Sequence, residues 1–188
     1  MNQQWQNAMG LSPRVYVCGY CDTKVGPDRG FTTTNGLSLI YVCSSCARPT
    51  YFEDQRQWPG VSFGENVEHL PSDVAGLYTE ARQCMSVSSY TSAVLTCRKL
   101  LMHIAVTQGA PEGKSFLEYV EFLASKGYLP PNGKGWVEVI RIRGNEANHE
   151  IKIMAQKEAE ELITFLEMLL KFIYEFPLKI GVPAPKTP

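Results

Sequence analysis

Two Cys-x2-Cys pairs, Cys18-Gly-Tyr-Cys21 and Cys43-Ser-Ser-Cys46, lie 21 residues apart near the start of this 188-residue chain. Cysteines spaced this way suit a metal better than each other, and each pair can set two thiolates on one side of a tight knuckle. Two knuckles complete a tetrahedron, so Cys18, Cys21, Cys43 and Cys46 are the expected ligands of a Zn2+ ion. Four protein ligands leave no open position for a substrate, which makes the expected role structural. An iron ion would accept the same ligand set. Around the pairs, residues 14–17 and 37–42 are rich in Val, Ile, Leu and Tyr, and Gly26-Pro27-Asp28 and Asn35-Gly36 supply turns. A strand-rich segment as small as 14–52 cannot bury enough apolar surface to fold by burial alone. The metal is its staple, and the segment reads as a zinc ribbon.

What such a ribbon contacts depends on its surface. Arg14, Lys24, Arg29, Arg48 and Arg56 are offset by Asp22, Asp28, Glu53 and Asp54. Tyr16, Tyr20, Phe31, Tyr41 and Tyr51 can stack on bases or form a miniature core. The core is the expected use, with a structural or protein-contact role for the ribbon. The chain as a whole has 18 Lys and Arg against 19 Asp and Glu, a net charge of -1. That disfavours nucleic-acid binding through a broad basic surface, so any such contact must come from a local site or from an assembly that concentrates the few basic groups. The start, Met-Asn-Gln-Gln-Trp-Gln, lacks the charged and apolar regions of a secretion signal. The longest apolar segment, 162–176, contains Glu167 and Lys171 and is too short to span a bilayer. A soluble cytoplasmic protein with no membrane contact is expected.

Residues 53–71 mix charges, Gly60, Gly64, Pro59 and Pro71 with isolated aromatics, and read as a loosely packed linker. Beyond Pro71 the periodicity is helical. One helix is expected from Ser72 or Asp73 to about Met85, with Val74, Leu77, Ala81 and Met85 on one face. A second covers about 89–108. A third opens on a capping box, Ser115 with Glu118 three positions on, and closes at Gly127. A fourth spans about 134–148 and a fifth about 156–176. The apolar positions of the fifth exceed one narrow stripe, which places it centrally in its bundle or against a second subunit. The expected fold is mainly α, an up-and-down helical bundle over 72–176 behind a small N-terminal β zinc ribbon. Residues 177–188 hold four prolines and read as an extended tail.

The fourth helix carries the second informative stretch, Arg141-Ile-Arg143-Gly-Asn145-Glu-Ala-Asn148-His149. On a continuous helix Arg141, Asn145 and His149 share one face, and Asn148 borders it. Arg143 lies roughly 120° around from His149. Such a set can cleave a phosphodiester without a metal: an imidazole exchanges a proton with a ribose hydroxyl or leaving oxygen, and a guanidinium steadies the phosphate. The plainer reading is that two arginines and a histidine complement a helix C-terminus. His103 is expected to be packed or hydrogen-bonded and His69 solvated. Arg98, inside an apolar stripe, needs a partner and can approach the same cluster.

The run from Leu70 to Pro177 resembles an uncharacterised bacterial and archaeal domain of the HEPN superfamily. The matching features are Leu70-Pro71, Glu80-Ala81, Arg98 in Cys-Arg-Lys-Leu-Leu, Arg143-Gly-Asn-Glu-Ala-Asn-His149, and a last helix ending in Ile-Tyr-Glu-Phe-Pro. An N-terminal zinc ribbon before such a domain is an arrangement similar to others in the group. The resemblance implies a helical bundle that dimerises, with RNA as substrate. Active members are metal-independent endoribonucleases with an arginine and a histidine separated by four to six intervening residues, and two protomers share one cleft. Arg143 and His149 match that motif, with Arg141, Asn145 and Asn148 as supporting groups. The resemblance further implies phage defence or a toxin–antitoxin stress response. The alternative from another class is a non-catalytic, dimeric interaction or nucleotide-binding module that docks a protein partner through the ribbon.

Overall fold

The computed structural model of the protein describes residues 5–129, 135 and 153–181. Its contacts divide the chain into two compact units. One is Met1–Ser62 with Met85–Val87, and the other is Phe63–Cys84 with Ser88–Pro188.

The first unit is built of short strands: β1 (Met9–Gly10), β2 (Tyr16–Val17), β3 (Lys24–Val25), β4 (Arg29–Thr32), β5 (Ser38–Val42), β6 (Pro49–Glu53) and β7 (Arg56–Trp58). Five form an antiparallel sheet in the order β1-β4-β5-β6-β7, and β2 and β3 pair separately. Asn35-Gly36 turns β4 into β5, with Gly36 at a φ of 70° and the Asn35 carboxamide oxygen accepting from the Leu37 amide at 3.1 Å. A Cβ on Gly30 would fall 1.9 Å from the Ile40 carbonyl oxygen, so the close β4–β5 approach requires glycine.

The architecture is α+β, which corrects the expectation of a mainly α bundle with a minor ribbon. Strands run from Met9 to Trp58, on both sides of the 14–52 segment. β7 lies in what reads as linker, and Glu53 pairs with Arg56 around a turn that has Asp54 at a φ of 52°. Strands of two or three residues with charged ends carry almost no periodicity of their own. Their neighbours in the sheet define them.

The second unit contains α1 (Ser72–Ser86, whose last two residues fall in the first unit), α2 (Tyr90–Thr107), α3 (Phe116–Ser125) and α4 (Gln156–Leu170). The expected helix over 134–148 lies outside the described residues except for position 135. α2 packs against α3 and α4. Ala93, Val94, Cys97, Leu100, Leu101 and Ile104 of α2 are fully buried, and so are Leu166, Leu169 and Leu170 of α4. The breadth of apolar surface on α4 is therefore consumed within its own unit. The capping box of α3 is present: Ser115 Oγ accepts from the Glu118 amide at 3.3 Å, and Glu118 Oε2 accepts from the Ser115 amide at 2.8 Å.

Two local expectations change here. The chain remains helical past Pro177: α4 runs into a π-helical stretch, Lys171–Glu175, and then α5, Phe176–Lys179. The wider turn resets the register, so Pro177 falls in the first turn of α5, where its missing N–H costs nothing. Residues 63–69 are not loosely packed either. Glu167 Oε2 accepts from the Glu65 amide and Glu175 Oε2 from the Glu68 amide, each at 2.9 Å. Arg82 donates to the carbonyls of Phe63 at 3.1 Å and Gly64 at 2.6 Å. Side chains of α1, α4 and the π stretch thus supply the partners that an extended segment cannot find in itself. Among the described residues no helix is long and apolar enough to cross a membrane.

These carboxylates make the helical unit acid-sensitive. Hydrogen bonds from Ser115 and the nearby Lys114 lower Glu118 from 4.5 to about 2, and Lys179 with the Glu68 amide lowers Glu175. Each carboxyl binds its proton less tightly folded than unfolded. Its contribution is therefore complete above about 4.5 and disappears as pH falls toward the folded value. Denaturant titrations followed by helical circular dichroism should show stability declining from pH 5 to pH 2. Glu118→Gln should flatten part of that decline, and an unchanged slope would contradict the assignment.

Candidate metal centre

Each cysteine pair sits on a turn that leaves a strand, Cys18 and Cys21 after β2, Cys43 and Cys46 after β5. The two turns are built alike. The Cys18 amide donates to the Thr23 carbonyl at 3.0 Å, and the Cys18 carbonyl accepts from the Asp22 amide at 2.9 Å. Cys43 repeats this with Arg48 and Ala47, both at 2.9 Å. The residue after each second cysteine, Asp22 at a φ of 54° and Ala47 at 57°, takes the left-handed conformation that closes the knuckle. Gly19 belongs to the same geometry, because a Cβ there would stand 2.1 Å from the Gly60 carbonyl oxygen.

The four sulfurs lie within 4.8 Å of one another. Cys18 Sγ is 3.8 Å from Cys46 Sγ, and Cys21 Sγ is 3.9 Å from Cys43 Sγ. A tetrahedral metal with metal–sulfur bonds of about 2.3 Å requires edges of roughly 3.8 Å. The residues fit a metal ion without rearrangement. The amides of Ser45 and Cys46 also point at Cys43 Sγ, at 3.4 and 3.5 Å, and support negative charge on it.

Ionisation in the cluster is uneven. Burial opposes it at Cys21, but hydrogen bonds from Thr23 and the neighbouring thiols prevail and bring that thiol down to about 6. Burial pushes Cys18 up, and pushes Cys46 up to about 12. The first negative charge is easily placed and the next ones are not. A bound cation removes that obstacle, because it favours the thiolate at every ligand.

The ligands are also part of the core. Cys18 and Cys43 are buried with Tyr16, Val25, Tyr41 and Phe52, and Leu11, Leu39, Cys21 and Cys46 pack against them. Phe52 meets Tyr16 and Tyr41 edge-on, with ring centroids 5.0 and 5.8 Å apart. Tyr16 and Tyr41 are therefore core residues, as expected of aromatics in a small lobe. Tyr20 is exposed beside Arg48, whose guanidinium lies 5.1 Å from its ring centre. Phe31 and Tyr51 face away from this core, together with Trp5 and Trp58, which sequence reading did not single out. Their only signal is the cross-strand register.

The other predicted site residues, Arg141, Arg143, Asn145, Asn148 and His149, lie outside the described residues. His103 Nε2 is 3.1 Å from Asp73 Oδ2, and His69 is exposed. Arg98 is buried at 6% exposure, with its guanidinium 4.3 Å from the Phe116 ring centre and Nη1 without a hydrogen-bond partner among the described residues. Burial lowers its pKa.

A family model described as a domain of unknown function (DUF4145) matches residues 79–182. No curated protein and no solved structure matches the chain.

A structural metal in a small domain contributes about 10–16 kcal/mol, as much as the whole net stability of a typical domain. Cys43→Ser should lose the bound metal, read by elemental analysis. It should also lose the near-ultraviolet dichroism of the Tyr16, Tyr41 and Phe52 cluster while the helical signal persists. A metal-free variant with its aromatic signal intact would show that burial alone holds this lobe.

Proposed function

The chain belongs to the DUF4145 family through residues 79–182, and from that premise we propose that it is an RNA-directed protein of HEPN type, a metal-independent endoribonuclease acting in defence or stress. One observation carries the reading: Arg143-Gly-Asn-Glu-Ala-Asn-His149 falls inside the family-matched region with the arginine-to-histidine spacing of that superfamily. Arg98, quoted for the same resemblance, lies in the matched region too.

In this reading His149 takes the proton from a ribose 2′-hydroxyl as the oxygen attacks phosphorus. The bond to the 5′-oxygen breaks, and that oxygen leaves with a proton from the paired acid in the cleft. Arg143 holds the phosphate as negative charge develops, and Arg141, Asn145 and Asn148 orient the two partners. The paired acid comes from a second copy, so the active form is a homodimer. Phe172, Phe176 and Ile180 recur every four residues and stay exposed, a strip that a second copy could cover. The metal at Cys18, Cys21, Cys43 and Cys46 is Zn2+ in a structural role, since thiolate-only tetrahedra favour it.

Purified full-length protein should cleave single-stranded RNA in EDTA while elemental analysis shows the cysteine-bound metal retained. General acid–base loss in His149→Ala should slow cleavage by about 10²- to 10⁴-fold, and Arg143→Ala should do so with little change in fold. Equal cleavage by the parent and His149→Ala removes the proposed site. No cleavage by either, with a stable protein complex instead, favours the non-catalytic reading that the net charge of -1 suits.

A further inference from the structure

The five-stranded sheet has two unlike faces. Tyr41 and Phe52 point into the metal-linked core. The pleat sends their neighbours the other way, and the register aligns those neighbours across four strands. Phe31 of β4 stands opposite Ile40 of β5, Ile40 opposite Tyr51 of β6, and Tyr51 opposite Trp58 of β7. Trp5 lies on the Phe31 end of this row, with ring centroids 5.9 Å apart, and its Nε1 is held by the Ala47 carbonyl at 2.7 Å. At the other end the Tyr51 and Trp58 rings are 5.6 Å apart and tilted by 36°. Trp5 and Trp58 are 37% and 38% exposed, an unusual share for large rings.

Arg29 and Arg56 stand on the same face, two residues before Phe31 and Trp58. β4 and β7 run in opposite directions, so the two guanidiniums fall on opposite sides of the aromatic row. Both arginines are exposed, and no described residue engages either side chain. Beside Arg29 and Trp5 a cleft of about 480 Å³ opens, lined also by Val42, Ser44 and Asp28. That is the size of a small-ligand site.

We infer that this sheet face is a stacking platform for single-stranded RNA, a site distinct from the residues proposed to cut it. Bases lie on the Trp5–Phe31 and Tyr51–Trp58 pairs, Arg29 and Arg56 take phosphates on either side, and the cleft beside Trp5 accepts one base. Aromatic rings and a diagonal pair of arginines are what an unpaired strand needs. A peptide adding as a strand would need a long edge, and β1 and β7 have two and three residues. Asp28 and Glu53 balance the local charge, so stacking outweighs Coulomb attraction here. The choice of RNA rests on the reading given under Proposed function; the platform itself rests on the sheet.

The test uses full-length His149→Ala, which cannot consume the ligand, and a fluorescent single-stranded oligouridylate followed by anisotropy. Two phosphate contacts predict a shallow salt dependence, about sevenfold weaker binding between 50 and 200 mM salt. Trp58→Ala should weaken binding by about five- to a hundredfold, Trp58→Phe much less, and Arg29→Ala with Arg56→Ala should flatten the salt dependence. Metal content and dichroism establish that each variant is folded. Parental affinity in folded Trp58→Ala and in the double arginine variant overturns the platform. So does a Trp58→Ala variant that alters only the oligomeric state by light scattering. Sheet-dependent binding by a parent that cleaves no RNA upholds the platform while the nuclease reading fails. Unchanged affinity in the sheet variants, with cleavage surviving when the same substitutions are made in the parent, does the reverse.

Discussion

Four sulfur atoms held within 4.8 Å of one another cannot all ionise unless a cation joins them, and the N-terminal unit is organised around that constraint. The strands are too short to bury much surface, and the largest apolar cluster of the lobe contains two of the thiols. The core and the candidate metal site are one object. Both knuckles use the same pattern of backbone hydrogen bonds, so the loops have little freedom to set the sulfurs elsewhere. With the inner face so committed, the outer face of the sheet is left to carry aromatic side chains that the core does not need.

The helical unit depends on a different economy. Its buried helices satisfy their own backbones, but the extended segment from Phe63 to His69 cannot. Glu167, Glu175 and Arg82 turn toward that segment and supply what it lacks. The π-helical stretch belongs to this arrangement. It brings Glu175 inward to 5% exposure, where it also accepts from Lys179 Nζ at 2.7 Å. These contacts join charge to backbone, which is why a sequence can show the charges and conceal their purpose.

The near-neutral balance of the chain bears on any nucleic-acid role. A protein of net charge -1 cannot gather RNA by long-range attraction, so recognition must come from short-range chemistry. On the proposed reading, the rings of Trp5, Phe31, Tyr51 and Trp58 would supply it, because stacking acts only at contact.

The metal ligands, the capping box at Ser115 and Glu118, and the phases of α1 and α2 were legible because each is a relation between residues a few positions apart. Spacing decides them, and spacing is written in the sequence. β1 and β7 were not legible, because two or three residues acquire strand character only from a partner in register. Nor was the helical path through Pro177, which depends on a change of helical register just before it. Phe31 and Tyr51 could be told from Tyr16 and Tyr41 only in the folded sheet. All four are aromatics near a metal knuckle, and a one-residue difference in pairing reverses which face each one takes. The sequence by itself marked the four cysteines that could hold a metal ion in the N-terminal lobe. The tertiary structure decided which of its aromatics the cysteine-lined core consumes and which it leaves on the surface, because pleat and register are properties of paired strands.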